Sequence, residues 1–239
     1  MIEFINVETK PVVILASGSQ RRRMMMDWIF PGCRSLPADI DETPLPGELP
    51  VPYTERMALQ KMLKSAKEVD ETDFLIIGSD TTVYAEERIL GKPGSAEEAS
   101  KTLHFLNGKE HLVCTAVCAM RVRDGKREIC RTVSETSVFF RNISEDEITR
   151  FVMSGSPMDK AGGYDIRDPQ FHPARKVEGC YAGVIGFPLC HLKALLDALG
   201  FPLSADIRAL CKNGNHYECK FSPVLEIERI PAEESEQME

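Results

Sequence analysis

The sequence predicts an α/β fold with one mixed sheet flanked by helices, and three observations predict it. Short apolar runs alternate with amphipathic segments over the first hundred residues. Two long alternating segments, Leu112 to Val122 and Glu128 to Phe140, are joined by Asp124-Gly125, a hairpin turn signal. Helical patterning returns behind that hairpin, so the parallel strands of the first half must share a sheet with an antiparallel pair. The 239 residues, 43% hydrophobic and 28% charged, suffice for one large domain or two small lobes with a core.

The elements follow in order. Val12 to Ala16 is an apolar run, β-branched at its start, and reads as a buried strand. Ser17 or Ser19 caps a helix over Arg21 to Phe30, which Pro31-Gly32 ends. The acidic, Pro-rich segment from Asp39 to Pro52 reads as a surface loop. Tyr53 to Val69 has helical spacing, and Phe74 to Ile77 is a second buried strand that ends in Gly78-Ser79-Asp80-Thr81. Thr82 to Ala85 continues extended, turns at Glu86 to Arg88, and leads through Ile89-Leu90 to the loop Gly91 to Gly94. Ser95 with Glu98 and Ser144 with Glu147 are capping boxes, each opening a helix; Gly108 closes the first and the second stops near Gly155. Pro157 to Lys176 reads as loop, Val184-Ile185 as a short strand and Pro188 to Leu199 as a helix. The pattern weakens from Ser204, and the acidic end from Glu226 is expected to fray. A main domain over residues 1–203 and an extension over 204–239 are therefore expected.

Composition narrows the function classes. A net charge of −8 argues against a nucleic-acid binder, which would show a basic face. No run reaches the roughly 18 apolar residues of a membrane span. The N-terminal apolar run lacks a preceding basic region, so it reads as a core strand rather than a signal peptide, and the expected compartment is the cytosol. None of the eight cysteines forms a C-x-x-C pair, and free buried thiols are the better reading. Cys211 to Cys219, with His216 between them, could hold a metal, but their spacing fits no common zinc pattern.

Certain residues carry chemistry. Arg21, Arg22 and Arg23 fall in the first turn of a helix, where the dipole disfavours cations. A bound phosphate would account for them; splaying into solvent would too. Asp80 is delivered by a buried strand beside Ser79 and Thr81. Its carboxylate could hold a divalent cation or take a proton from water, or merely satisfy turn N–H groups. Asp39, Asp41 and Glu42 could complete a site of hard oxygen ligands, though solvated loop charge explains them as well. Lys92 and Lys160 sit beside glycines that let backbone and ammonium approach a phosphate together; each alone is more often a surface residue, as Lys61 is by default. The histidines have no ligand spacing, and Tyr164 either stacks on a base or packs.

With these residues on the page, the sequence resembles the Maf nucleotide pyrophosphatases, also called septum formation inhibitor-like proteins. The resemblance is collinear from Val13 to Leu199. It rests on LASGSQRRRMM, Ile40-Asp-Glu42, Gln60-Lys61, IIGSDTTV, ILGKP, LNGKEHLVCTAV, PMDKAGGYDI and EGCYAGVIGFPL. It implies an elongated mixed sheet with two lobes around a central cleft, of the Maf/ITPase-like kind, and a homodimer. It implies cleavage between the α and β phosphates of a nucleoside triphosphate with a divalent metal, Mg²⁺ or Mn²⁺. Carried over by position, Asp80 is the proton acceptor and a metal contact, and Glu42 is a metal or water partner. Ser17, Arg22, Lys61, Lys92 and Lys160 match positions around the triphosphate.

The family resembles two branches, one acting on dTTP and UTP and one on 7-methyl-GTP. Arg21 and Thr81 match the pyrimidine branch. Arg167 stands where that branch has Gln, and Asp165 where it has Gly; Gln20 replaces a proline. An arginine cannot present an amide's paired donor and acceptor. Pyrimidine triphosphates, modified ones included, are the expected substrates, with 7-methyl-GTP, or a nucleotide-binding cell-division regulator of little turnover, as alternatives.

Overall fold

The computed structural model of the chain describes residues 11–86, 88–221 and 225–231. Expectations for Glu87 and for the acidic residues after Pro231 lie outside them. The first strand, β1 (Val12–Leu15), leads through a short loop to α1 (Gln20–Asp27), capped by Ser19. A two-residue strand, β2 (Arg34–Ser35), follows, and then α2 (Pro50–Ala66). The helix begins three residues before the expected Tyr53 because Pro50 takes the first helical turn, where a missing N–H costs nothing.

The central strand, β3 (Phe74–Ala85), is a single span of 12 residues. Its expected end at Gly78 to Thr81 is corrected: pairing with β5 runs unbroken from Phe74 to Tyr84 and keeps the segment extended. After β3 come β4 (Arg88–Leu90), α3 (Ala96–Leu106), β5 (Glu110–Arg123) and β6 (Lys126–Phe140). Asp124 and Gly125 both take positive φ between β5 and β6, as the tightest hairpin turn requires. Next is α4 (Glu145–Met153), whose Ser144–Glu147 capping box is formed in both directions.

Three later segments depart from expectation. Within the presumed loop, β7 (Ala174–Glu178) pairs antiparallel with β6 despite its charge, because backbone pairing needs no apolar side chain. Val184-Ile185 belongs to a short helix, α5 (Tyr181–Ile185), not a strand; Gly186 closes it at φ 113°. Past α6 (Leu189–Ala198), the extension forms α7 (Ile207–Asn215) and β8 (Glu228–Ile230), which pairs with β6.

The sheet runs β2-β1-β3-β5-β6-β7, with β4 beside β3 and β8 beside β6. Among the described residues only the β2–β1 and β1–β3 pairs are parallel, so the sheet is mixed. Each face carries its own core. One packs α2 through Ala58, Leu59, Met62 and Leu63 against Ile14, Phe74 and Ile76; the other gathers the remaining helices around Leu75, Ile77, Phe140, Phe187 and Leu192. At Gly78 an added Cβ would lie 2.6 Å from the Ala58 carbonyl and 2.8 Å from the Met62 Cβ, so α2 rests on bare backbone there. Gly214 of α7 is as closely covered by the Trp28 ring at the end of α1.

Candidate functional site

The site follows from what borders β3. On one side β5 pairs with it throughout. On the other, β1 covers only Phe74 to Ile77 and β4 only Val83 to Ala85. Among the described residues no strand lies beside residues 78–82 on that side, because the chain leaves β1 at Ala16 for α1. Alternation along the strand sends Leu75, Ile77 and Thr81 to one face and Ile76 and Asp80 to the other. A cavity of about 660 Å³ wraps this open edge and draws groups from both faces. Ser17, Arg21, Arg22, Glu42, Lys61, Asp80, Thr81, Lys92, Lys160 and Arg167 all line it.

On the α2 face, Asp80 is 8% exposed, and its Oδ1 accepts from Lys61 Nζ at 2.6 Å. Lys61 is the outlying member of the amphipathic α2. Its ammonium also meets Glu42 Oε1 at 2.9 Å and so holds two carboxylates from distant segments together. The loop carrying Glu42 is pinned by the Tyr53 hydroxyl, which donates to the Glu42 carbonyl at 2.9 Å. Burial raises the Glu42 pKa, but Lys61, Lys92 and Arg22 outweigh it and the carboxyl stays below its ordinary range. Burial, with the charges of Asp80 and Glu42, pushes the Tyr53 hydroxyl up to about 12, so it remains a donor. Asp41 instead caps the Thr43 N–H and stays exposed.

On the opposite face Arg22 turns inward from α1. Its Nε donates to the Gly186 carbonyl and its Nη2 to Thr81 Oγ1, both at 3.0 Å; its Nη1 lies 3.4 Å from Ser17 Oγ. Thr115 Oγ1 sits 3.0 Å from Thr81 Oγ1 and donates to the Gly183 carbonyl at 2.8 Å, so the guanidinium rests on a chain of fixed hydroxyls. Burial lowers the Arg22 pKa while Asp80 and Glu42 oppose the shift; an arginine so placed keeps its charge. Two of the three arginines at the start of α1 therefore face the cavity. Arg23 does not; it reaches the half-buried Ser35 hydroxyl.

At the far end Asp165 binds both remaining arginines. Arg167 donates its backbone N–H at 2.9 Å and its Nε at 3.2 Å to Oδ1, and Nη2 at 3.1 Å to Oδ2; Arg21 Nη1 is 3.5 Å from Oδ2. Burial raises the Asp165 pKa, but its bonds to Arg167 outweigh that, and the group stays ionised. Two of the three residues that depart from the family's motifs, Asp165 and Arg167, are thus partners. Lys160 is tied to the Ser156 carbonyl and to Asp159, whereas Lys92 makes no ion pair among the described residues. Gly162 N–H donates to the Gly91 carbonyl at 3.0 Å, which fastens the Lys92 loop to the Lys160 turn. Tyr164 packs: its hydroxyl meets buried His111 Nε2 at 2.7 Å, and Phe140 stands edge-on to its ring.

Sequence reasoning missed Tyr53 and the Gly186 carbonyl. Tyr53 had a signal in its place at the start of an amphipathic helix, but a backbone carbonyl has none.

The arrangement brings carboxylates and a half-buried guanidinium into one cavity with several lysines. That set can bind a polyphosphate and deprotonate a water beside it. Among the described residues no helix is long and apolar enough to cross a membrane.

Comparison with known proteins gives consistent results. The family model described as Maf-like protein matches residues 12–199. The chain is 39% identical over 188 residues to the dTTP/UTP pyrophosphatase of Geobacter sp. (strain M21), covering 79% of this chain and 95% of that protein. It is 38% identical over 209 residues to the protein of the same name from Aromatoleum aromaticum, covering 81% of this chain and 100% of the relative. For the dTTP/UTP pyrophosphatase of Neisseria gonorrhoeae the figures are 39% over 199 residues, 80% and 96%.

Proposed function

Because the chain belongs to the Maf-like protein family, we propose that it is a nucleoside triphosphate pyrophosphatase that converts dTTP and UTP, and modified pyrimidine triphosphates, to the monophosphate and pyrophosphate. The observation that carries this reading is the placement of Asp80 and Arg22 on opposite faces of one open strand edge, lining one cavity.

In this reading the triphosphate lies along β3. Asp80 takes a proton from water, and the water oxygen attacks the α-phosphorus. The bond to the bridging oxygen breaks, and pyrophosphate leaves with that oxygen. Arg22, Lys92 and Lys160 offset the charge on the departing group, and Ser17 and Thr81 hold Arg22 in place. Lys61 keeps Glu42 and Asp80 directed at one point. The base lies toward Arg21, Asp165 and Arg167.

Glu42 and Asp80 suit a hard divalent cation such as Mg²⁺ or Mn²⁺, which takes one or two carboxylates together with substrate phosphate oxygens. When bound, such an ion neutralises phosphate charge. A homodimer and a cytosolic location belong to the same proposal.

The test is incubation of the purified chain with dTTP, UTP and 7-methyl-GTP in Mg²⁺ or Mn²⁺, followed by separation of the products. Pyrophosphate and monophosphate are expected, fastest from dTTP and UTP. Orthophosphate release, or no turnover of any triphosphate, would overturn the proposal, the latter in favour of a nucleotide-binding regulator.

A further inference from the structure

Half of the chain's cysteines meet at a second cavity, away from β3. Cys180, Cys190, Cys211 and Cys219 all line this space of about 280 Å³. They come from three helices and the segment after the last. Cys180 caps α5, Cys190 is in the first turn of α6, and Cys211 lies in α7. Cys219 returns to the cavity after the left-handed turn at His216. The remaining cysteines, Cys33, Cys114, Cys118 and Cys130, are elsewhere in the fold. Burial pushes the Cys180 thiol up to about 12, and Cys211, Cys190 and Cys219 add to the effect.

Four thiols around a void need a common explanation. None is in a disulfide, and a disulfide would use two sulfurs and leave the space empty. A single zinc ion would draw its sulfurs to about 2.3 Å from the metal. Among the described residues, however, no three Cys, His, Asp or Glu side chains converge to hold one ion.

We propose that this cavity is the seat of an iron–sulfur cluster ligated by Cys180, Cys190, Cys211 and Cys219. Such clusters are held by four thiolates and tuned by hydrogen bonds to sulfur. Two such donors are already in place: Gly183 N–H to Cys180 Sγ at 3.3 Å and Asn215 Nδ2 to Cys211 Sγ at 3.5 Å. Arg208 and Lys212 line the same cavity together with Asp206 and Glu218, and Lys212 meets Glu218 at 3.0 Å, so the formal charges of the lining balance before any cluster is bound. The cluster would join α5, α6 and α7 at one centre. Tyr217 stacks on Tyr181 at 4.0 Å beside it, and α5 ends at the Gly186 carbonyl that holds Arg22. The cluster thereby fixes a wall of the first site without touching the nucleotide.

Loading from a preformed cluster is ligand exchange. Each cysteine Sγ bonds to an iron as a small thiolate leaves it, the cysteine proton passes to that thiolate, and no electron changes hands.

The test uses the full chain, under anaerobic conditions, with a [4Fe–4S] cluster carrying small thiolate ligands, followed by desalting. About four iron and four sulfide ions per chain are expected, retained by Cys33→Ser and lost from Cys190→Ser and Cys219→Ser. In the loaded wild-type chain, Cys190, Cys211 and Cys219 are expected to resist alkylation that modifies Cys33. This second reading does not depend on the folding of any variant. Iron that fails to stay bound, survives Cys219→Ser, or leaves those three thiols open to alkylation would overturn the proposal. So would stoichiometric zinc in the purified chain without sulfide.

Discussion

Lys61 Nζ lies 2.6 Å from Asp80 Oδ1 and 2.9 Å from Glu42 Oε1, so one ammonium joins the acid of the central strand to an acid from a Pro-rich loop. The pair crosses the seam between α2 and β3. It makes the aim of Asp80 depend on how closely that helix sits on the sheet.

Asp80→Asn keeps the shape of this contact and removes the base. Turnover should fall by about 10²- to 10⁴-fold, the usual contribution of a positioned base. Triphosphate affinity, read by calorimetry, should stay within a few-fold. Pyrophosphate release at the wild-type rate would remove Asp80 from the chemistry.

Arg167 is held by Asp165 through three donors. Arg167→Gln breaks the guanidinium contacts and restores an amide with both a donor and an acceptor. Relative kcat/KM across dTTP, UTP, dCTP and 7-methyl-GTP should move toward the pyrimidines dTTP and UTP, by roughly tenfold for one base-edge contact of about 1–3 kcal/mol. An unchanged ranking would place Arg167 outside the base pocket.

Gly78→Ala tests the seam. The new Cβ would lie under 3 Å from the Ala58 carbonyl, the Met62 Cβ and the Cys118 sulfur. Overpacking of this kind costs about 1–3 kcal/mol, so the urea midpoint should drop. Activity should fall further than stability does, because α2 carries Lys61 away from Asp80. A stable variant with full activity would show that the helix can shift without consequence.

The two buried histidines are expected to contribute to acid sensitivity. Burial lowers His111 and His191 to about 4, and each has a buried Nδ1 with no hydrogen-bond partner. The unfolded chain takes up protons near pH 6.5, the folded chain only near 4, so stability declines as the pH falls through that window and levels below it. The span corresponds to roughly 3 kcal/mol for each histidine. Equilibrium unfolding from pH 7 to 4 should show this slope, and His191→Leu should flatten it. An equal slope in the variant would assign acid sensitivity to other groups.

These residues also show where sequence was informative. Capping at Ser144 and the turn at Asp124-Gly125 are written locally, in side chains that satisfy or bend their own backbone, and both were legible. The strand at Ala174 to Glu178 was not, because its pairing with β6 uses only backbone groups and its side chains look like loop. Val184-Ile185 looked like a strand from β-branching, yet tertiary packing closed it as a helix against Gly186. At the site, arginines opposing a helix dipole were a visible anomaly, and Arg21 and Arg22 do face the cavity. Lys61 had no such mark. In sequence it is one polar position of an amphipathic helix, and only the approach of α2 to Gly78 brings it to Asp80.

The bare edge of β3 has a consequence for solubility. A strand without a neighbour offers its amides and carbonyls to any other chain, and proteins usually guard such edges with charge, proline or a bulge. Here Ser79, Asp80 and Thr82 are buried, and the stretch is recessed between β1 and β4. A foreign strand would have to enter the cleft to pair with it. The crevice proposed for the polyphosphate would thus also guard against aggregation, and mutations that widen its mouth would risk intermolecular sheet growth.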